Sequence, residues 1–277
     1  MKRFIRYVIQ ELLLLLEFFF PTKGVPVLLY HKTSSKEVNP FIPNISVDTF
    51  QKQVDYLKKR GYTTINTKQL FDYLYNGTKL PGKPVIITFD DGYKDNMDAF
   101  KILSDNGFSA ICFVATSFLN KSYDYMPFYL NKGCVSFETS DIRKELFEFM
   151  SDDDISRALA LGVEMCGHTH HHIDIPEYSE DVVMEEVKES KKIVDRMSGQ
   201  ESIAFSYPRG KYNEYIKQML PTLGVKISFA VKAGVIRRDS DPLELPRYNV
   251  PSERNLFRLA LTNKIVLYET ISRIING

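Results

Sequence analysis

Short apolar runs typical of buried strands alternate with helical segments along most of the chain, and this alternation limits the folds open to it. Parallel strands need a crossover connection, usually a helix, so the alternation favours a parallel sheet. Strands are expected at 25–29, 62–65, 85–89, 109–115, 162–166, 202–206 and 225–231. The sequence therefore predicts an α/β fold, a single and partly closed (β/α) barrel of about seven strands.

Length and composition agree with one enzyme-sized domain. A chain of 277 residues is normal for a single α/β barrel, and a hydrophobic content of 44% is enough for one core. Lys and Arg number 36 against 35 Asp and Glu, and we find no basic stripe, which argues against nucleic acid as a partner. The three cysteines lie in no paired spacing, so no disulfide framework is expected.

Two adjacent carboxylates, Asp90 and Asp91, follow the run 85–89 and precede Gly92. We expect both in the turn where a buried strand ends. Functional residues collect at such places because the strand is rigid while the loop is free to carry chemistry. An Asp-Asp-Gly triplet by itself is more often an ordinary turn. A second polar cluster further along the chain favours the functional interpretation.

Four of the five histidines lie between positions 168 and 172, directly after the predicted strand 162–166. His168 and His172 are four residues apart, so on one helical turn they would share a face and could bind one ion together. Two imidazoles and one carboxylate form a typical hydrolytic zinc site with an open coordination position. We therefore predict that Asp91, His168 and His172 hold a divalent metal, Zn2+ above others, and that Asp90 is the general base.

The histidine cluster has other interpretations. A solvated patch of histidines also binds metals adventitiously, and His170 and His171 remain ambiguous, although helical spacing favours their neighbours. The string Gly-His-Thr-His at 167–170 also occurs in two-metal phosphoesterases. Those enzymes further need an Asp-x-His, a Gly-Asp and an Asn-His element, none of which occurs here. A site for a single metal is therefore favoured.

The segment 88–92, Thr-Phe-Asp-Asp-Gly, together with His168, Thr169 and His172, resembles the two main motifs of the polysaccharide deacetylases of carbohydrate esterase family 4, the chitooligosaccharide-deacetylase-like group. The resemblance covers about residues 25–260. It implies a distorted (β/α) barrel and the same roles for both carboxylates and both histidines. It also implies removal of N-acetyl groups from an amino-sugar polysaccharide, oligosaccharide or precursor at the bacterial cell surface.

A third family motif is matched less closely. The segment 204–213 resembles the motif that forms one wall of the substrate groove, which makes Tyr207, Pro208 and Arg209 the candidates for substrate binding. In the family an Arg precedes the Tyr/Phe-Pro of this motif, whereas Ser206 stands there in this chain. An aromatic insertion at 116–137 could overhang the same groove.

The catalytic acid of the family is also missing from its usual place, because no late Leu-x-His occurs. Leu-Tyr-His at 29–31 instead resembles a permuted branch that makes and modifies exopolysaccharides, in which the acid histidine comes from an N-terminal strand. The resemblance makes His31 the candidate acid and Arg247 the candidate to orient Asp90, with Arg209 as the alternative. A histidine that only caps the strand and an arginine in a surface ion pair are the simpler interpretations.

Residues 1–21 have the pattern of an amphipathic helix, placed before a catalytic domain at 22–277. The uncharged stretch 12–16 is far too short to span a bilayer, and no signal cleavage site is apparent. We expect a helix on a membrane surface or on a partner, while packing on the protein's own barrel is equally open. Either a cytoplasmic or a peripheral inner-membrane location is expected, with export to the cell envelope as the alternative. The polar face consists of Lys2, Arg3, Arg6, Gln10 and Glu17, opposite a face of Phe, Ile, Val and Leu.

The predicted activity is metal-dependent hydrolysis of an N-acetyl group on a glycan. Two alternatives stay open. A glycan-binding protein that has lost catalysis is compatible with the two departures from the family, but it would have no use for Asp90 as a base. An O-acetyl esterase is the other, since the same oxyanion chemistry serves esters and amides.

Overall fold

The computed structural model describes residues 2–34, 42–121 and 148–276. The predicted aromatic insertion lies outside these residues from position 122 onward. Among the described residues, no helix combines the length and apolar character needed to cross a membrane.

The strands are β1 Val25–Tyr30, β2 Lys32–Thr33, β3 Asn44–Ile45, β4 Thr63–Thr64, β5 Pro84–Asp91, β6 Ala110–Val114, β7 Val163–Gly167, β8 Ala204–Ser206, β9 Ile227–Phe229, β10 Val235–Ile236 and β11 Tyr248–Asn249. The helices are α1 Lys2–Phe19, α2 Val47–Lys59, α3 Thr67–Tyr75, α4 Asn96–Asp105, α5 Asp152–Ala160, α6 Glu180–Ser198, α7 Glu214–Met219, α8 Arg254–Ala260 and α9 Lys264–Asn276.

The main sheet has the strand order β10-β1-β5-β6-β7-β8-β9, with β4 beside β5 and β11 beside β1. Its pairs are parallel except for β10 against β1. Leu245 forms a parallel bridge to Phe229 at the end of β9, and β11 pairs with β1 a few residues later. The segment between them joins the two sides of the sheet. The prediction of a partly closed (β/α) barrel of about seven strands is confirmed.

The central strands are buried on both faces, as expected for parallel strands covered by helices. Along β5, Ile87 and Phe89 pack in the layer that contains Phe50 of α2 and Phe100 of α4. Ile86 lies instead in the cluster that fills the barrel interior. Because side chains alternate along a strand, the position of Ile86 places Asp90, four residues later, on the interior side as well.

Local signals fixed the helices around the sheet. Ser46 accepts a hydrogen bond from the backbone N–H of Thr49 at the start of α2. Asn66 and Gln69 form a capping box at the start of α3. α6 ends at Gly199, which adopts the left-handed conformation with φ 66°. Each of these boundaries depends only on residues that are close in the chain.

Candidate active site

The predicted site residues gather at the carboxyl ends of adjacent parallel strands. The register aligns Asp91 of β5 with Val114 of β6, and Val114 with Gly167 of β7, so His168 comes one residue beyond this row. Both carboxylates are the last residues of β5 and are buried, rather than lying in the turn as predicted. Their positions are therefore fixed by the sheet hydrogen bonds and not by a loop.

Asp90 is bound by Arg247 in a two-point ion pair inside the barrel. The guanidinium donates to the two carboxylate oxygens at 2.7 and 2.8 Å. Arg247 is 0% exposed, and its guanidinium lies over the rings of Phe113 and Phe229. Its Nε donates to the carbonyl of Ala230 at 3.2 Å. Such a fork holds a carboxylate in one orientation as well as neutralising it.

Ser206 completes this pair. Its hydroxyl accepts a hydrogen bond from Arg247 at 2.6 Å and donates a long one, 3.4 Å, to Asp90. Burial by itself would raise the pKa of Asp90, but the charge and hydrogen bonds of Arg247 outweigh it and hold that pKa at about 2. The small side chain at 206, where the related motif has an arginine, leaves room for a guanidinium that arrives from position 247.

Asp91, His168 and His172 form a compact buried group. Each offers one ligand atom, and these atoms lie within 4.8 Å of one another. Oδ1 of Asp91 is 3.3 Å from Nε2 of His172 and 3.7 Å from Nε2 of His168. Within the described parts of the chain, this is the group of histidine and acidic side chains that could hold a metal ion.

The two imidazoles are prepared to act as ligands. Nδ1 of His168 lies 2.8 Å from the carbonyl oxygen of Ser206, which can only accept, so the proton is on Nδ1 and Nε2 carries the lone pair. Burial lowers the pKa of His168 to about 4. Burial, assisted by the positive charge of Arg209, lowers the pKa of His172 to about 4 as well. Both rings are therefore neutral near pH 7, as metal binding requires.

The surroundings of Asp91 show whether a cation fits between this carboxylate and the two imidazoles. Its Oδ1 is buried and has no hydrogen-bond partner among the described residues. Burial raises the pKa of Asp91, and the neighbouring Asp90 raises it further, although His31 and His168 oppose the shift. Arg247 pairs with Asp90, whereas the carboxylate of Asp91 accepts a hydrogen bond from Tyr93. A buried carboxylate whose Oδ1 has no hydrogen bond among the described residues, and which faces two neutral imidazoles, fits a divalent cation.

The histidine loop is not helical, and the prediction that His168 and His172 share a helical face is wrong. Thr169 and His172 both have left-handed backbones, with φ 60° and 52°. The loop closes through a hydrogen bond from the N–H of Ile173 to the hydroxyl of Thr169 at 3.2 Å. The two histidines therefore converge because the loop folds back beside β7, and not because of a helical repeat.

The same loop directs the middle histidines away from the site. The N–H of His170 donates to the backbone carbonyl of Glu186 at 3.1 Å, and Nδ1 of His170 lies 2.8 Å from the hydroxyl of Thr116. His171 pairs with the carboxylate of Glu186 through both its N–H, at 2.7 Å, and Nδ1, at 2.6 Å. The four-histidine sequence thus divides into two potential metal ligands and two residues that anchor the loop to α6.

His31 lies at the end of β1, half-buried, beside the two carboxylates. It interacts electrostatically with Asp90, Asp91 and His172. Its Nδ1 is buried with no hydrogen-bond partner among the described residues. Its backbone carbonyl accepts a 2.8 Å hydrogen bond from the side chain of Asn96. The structure therefore brings the candidate acid to the same strand-end cluster as the candidate base.

Sequence reasoning missed the support beneath His31. Lys32 is 1% exposed and forms a 2.7 Å ion pair with Asp95, and its ammonium lies 4.2 Å from the centre of the Tyr93 ring. Thr33 donates to the side-chain oxygen of Asn96 at 3.1 Å. A lysine two residues after an apolar strand was the available signal, because a buried lysine needs a partner. The spacing did not indicate that this partner would be Asp95, three residues after the Asp-Asp-Gly turn.

The predicted substrate-binding segment is only partly presented to solvent. Tyr207 is fully buried, its hydroxyl donates to the carbonyl of Leu243 at 2.8 Å, and its N–H donates to Phe229 at 3.1 Å. Neither group is available to a ligand, so the expectation of a substrate contact through Tyr207 is corrected. Pro208 is buried as well. Arg209 is exposed and pairs with Asp174 at 2.8 Å, so it is not the arginine beside Asp90.

The barrel and its strand-end cluster define a class of protein. A clamped carboxylate, a second carboxylate with two neutral imidazoles and a further histidine at the rim are the components of a metal-dependent hydrolase. Comparison with known sequences then identifies the family. The profile of the polysaccharide deacetylases matches residues 77–228. The chain belongs to the polysaccharide deacetylase family, which acts on N-acetylated glycans, and it is accordingly a hydrolase of amide bonds.

Three individual proteins are similar to this chain. The polysaccharide-deacetylase-like protein YxkH of Bacillus subtilis (strain 168) is 26% identical over 227 residues, which cover 82% of this chain and 71% of YxkH. The poly-beta-1,6-N-acetyl-D-glucosamine N-deacetylase of Escherichia coli (strain K12) is 25% identical over 75 residues, 27% of this chain and 11% of that enzyme. The deacetylase PplD of Streptococcus pyogenes, solved in complex with acetate, superposes with a TM-score of 0.69 at 22% identity, covering 89% of this chain and 97% of PplD.

Proposed function

We propose that this protein is a zinc-dependent de-N-acetylase that acts on an amino-sugar-containing polysaccharide, oligosaccharide or its precursor. One observation carries the proposal. A carboxylate clamped by Arg247 lies directly beside the buried group of Asp91, His168 and His172. The match to a poly-N-acetylglucosamine deacetylase supports the substrate class, although it covers a minor part of that enzyme.

Asp90 is the general base in this proposal. Arg247 directs its oxygens towards the neighbouring His168, whose Nε2 is 3.7 Å from Oδ2 of Asp90. With a pKa of about 2, Asp90 is ionised at neutral pH but is a weak base. It can therefore remove a proton only from a water molecule that has already been made more acidic. This requirement is the physical reason for expecting metal dependence.

Asp91, His168 and His172 would hold the metal, and two imidazoles with one carboxylate suit zinc. When bound, the metal supplies a Lewis acid that polarises the acetamide carbonyl and lowers the pKa of water. Within the protein, Ser206 fixes the tautomer of His168. The N–H of Tyr207 is already bonded to the carbonyl of Phe229, so it is not available to stabilise an oxyanion.

His31 is the proposed acid. As the carbon–nitrogen bond breaks, the leaving nitrogen needs a proton, and His31 lies at the rim of the cluster on the strand next to β5. Asp90 takes one proton from water and His31 gives one to the nitrogen, so the products are acetate and a free amine. A neutral glycan would thereby gain positive charge.

Acetate release from N-acetylglucosamine oligomers and from O-acetylated glycans tests this proposal. The zinc-loaded protein should release acetate from the N-acetylated substrates. Asp90→Asn should reduce turnover by about 10²- to 10⁴-fold, the usual contribution of a general base, and still bind one zinc per chain. Asp91→Asn should lose both zinc and activity, because it removes a ligand charge.

A matched pair of variants tests the acid. His31→Gln should lose most activity and keep zinc, whereas His171→Gln, a change of the same kind in the loop anchor, should keep both. Acetate released from O-acetylated glycans alone would make the protein an esterase. Zinc binding with no acetate release from any substrate, and with glycan affinity retained, would favour the glycan-binding alternative and contradict the proposal.

A further inference from the structure

Helix α1 is docked on the protein through its polar residues. Gln10 is 3% exposed, and its amide donates to the hydroxyl of Tyr268 at 3.2 Å. Glu11 accepts from the side chain of Asn255 at 2.8 Å, and Glu17 pairs with Lys264 at 2.5 Å. Leu13 is the one apolar residue of α1 that is fully buried against α8 and α9. Ile9 and Leu14 pack partly against the same cluster, so the docked side of α1 combines apolar contacts with inward polar bonds.

The opposite face of α1 is apolar and points outward. Large side chains that are more than half exposed follow one side of the helix and its end: Phe4, Leu12, Leu15, Phe18, Phe19 and Phe20. Phe20 also lines a shallow groove together with Leu267 of α9, so the apolar surface continues onto the neighbouring helix. Contiguous apolar surfaces of this kind mark interaction sites.

The charges beside this surface are of one sign. Lys2, Arg3 and Lys23 are exposed at the two ends of the helix. The two acidic residues of the segment, Glu11 and Glu17, are both bonded inward. The apolar face is thus bordered by cations, which would repel the same border on a second copy and attract an anionic surface.

We propose that α1 binds the surface of an anionic lipid bilayer. The apolar face would lie at the boundary of headgroups and acyl chains, with Lys2, Arg3 and Lys23 beside anionic headgroups. The inward-facing polar contacts mean that the helix can bind lipid without leaving the protein. This inference is independent of the catalytic proposal and holds whether or not the site removes acetyl groups.

Flotation of the full-length protein with vesicles tests the inference. The protein should float with vesicles of phosphatidylcholine and phosphatidylglycerol and much less with phosphatidylcholine alone. The double variant Leu12→Glu/Leu15→Glu should weaken binding by at least about tenfold, since two exposed leucines no longer enter the lipid. Val182→Glu is the matched control, because this valine is 42% exposed on α6, and it should bind like the wild type.

A second arm tests the charges. Lys2→Gln/Arg3→Gln should weaken binding to anionic vesicles by about fivefold per removed charge. Near-ultraviolet circular dichroism and zinc content should show that all variants are folded. Absence of flotation, or equal flotation of Leu12→Glu/Leu15→Glu, would overturn the inference. A lipid-free dimer that this variant dissociates, without vesicle binding, would assign the surface to a second copy and also overturn it.

Discussion

The two carboxylates of the site are adjacent in sequence but lie in opposite electrostatic states. The base half, formed by Asp90, Arg247 and Ser206, has its charges paired and its geometry fixed by short hydrogen bonds. In the metal half, formed by Asp91, His168 and His172, the buried Oδ1 of Asp91 has no hydrogen-bond partner among the described residues. A group whose hydrogen bonds are all made within the protein is positioned by the protein alone. A buried polar atom without a hydrogen bond instead indicates a binding site for a ligand.

Backbone geometry contributes to this difference. Asp90 follows the alternation of β5 into the barrel interior and meets the guanidinium there. Asp91 has φ 75°, a left-handed conformation that is unusual for a residue other than glycine. This turn of the backbone keeps the side chain of Asp91 at the strand end, next to the histidine loop. Two neighbouring residues of the same type thus take different roles because Asp90 keeps the strand conformation, whereas Asp91, although still paired with β6, has a left-handed backbone.

Breaking the base half should have the largest effect on stability. Arg247→Met should lower the free energy of unfolding by about 3–5 kcal/mol, because Asp90 becomes an unpaired buried charge. Chemical denaturation of the metal-free protein measures this loss. Asp90→Asn/Arg247→Met should recover a large part of it, since the charge is then absent. Equal stability of wild type and Arg247→Met would show that the pair does not hold this half together.

The stability of the metal-free protein should depend on pH through the two histidines of the metal half. In the metal-free protein, His168 and His172 have folded pKa values of about 4 against an ordinary value of 6.5, so the unfolded chain takes up protons first as pH falls. Stability should therefore decrease between about pH 6.5 and 4, by up to about 1.4 kcal/mol per pH unit for each histidine.

Thermal melts across this pH range check the prediction. His172→Gln should show a shallower decrease than the wild type, because one of the two proton-linked groups is gone. Zinc should raise the melting temperature of the wild type near pH 7 and lose this effect towards pH 4, as protons compete for both imidazoles. Parallel pH profiles for wild type and variant would contradict the assignment of the slope to His172.

The smallest effect on stability is expected from a change at Ser206, and it tests whether the two halves are independent. Ser206→Ala removes the hydroxyl beside Arg247 and Asp90 but keeps the carbonyl that bonds His168, so it should cost about 1 kcal/mol of stability. Activity should fall several-fold with zinc affinity unchanged. Ser190→Ala is a suitable control, since its buried hydroxyl has no hydrogen-bond partner among the described residues. A loss of zinc in Ser206→Ala would mean that the halves are not separate.

Much of the fold was predictable because its signals are local. The caps of α2 and α3 act over a few residues, and the apolar run 85–89 lies within β5, although that strand continues to Asp91. The grouping of Asp91, His168 and His172 was predictable too, although the reason given for it was wrong. A spacing of four suggested a helix, whereas two left-handed residues in a loop produced the same convergence.

Other features could not be read from the chain. Arg247 was the candidate to orient Asp90 and Arg209 the alternative, and only the path of the segment between β9 and β11 puts residue 247 inside the barrel. Tyr207 stands in a motif associated with substrate, yet the packing around β8 buries it. For α1, the sequence showed a polar and an apolar face but not which of them would contact the protein.

The sequence by itself determined the alternating elements, the two carboxylates at a strand end and the amphipathic pattern of α1, because each depends on residues that are close in the chain. The tertiary structure decided which arginine neutralises which carboxylate, which two of the four histidines face Asp91, and that α1 packs through the side that carries Gln10, Leu13 and Glu17. These outcomes depend on contacts between distant segments, where burial makes an unpaired charge costly and so selects the partner.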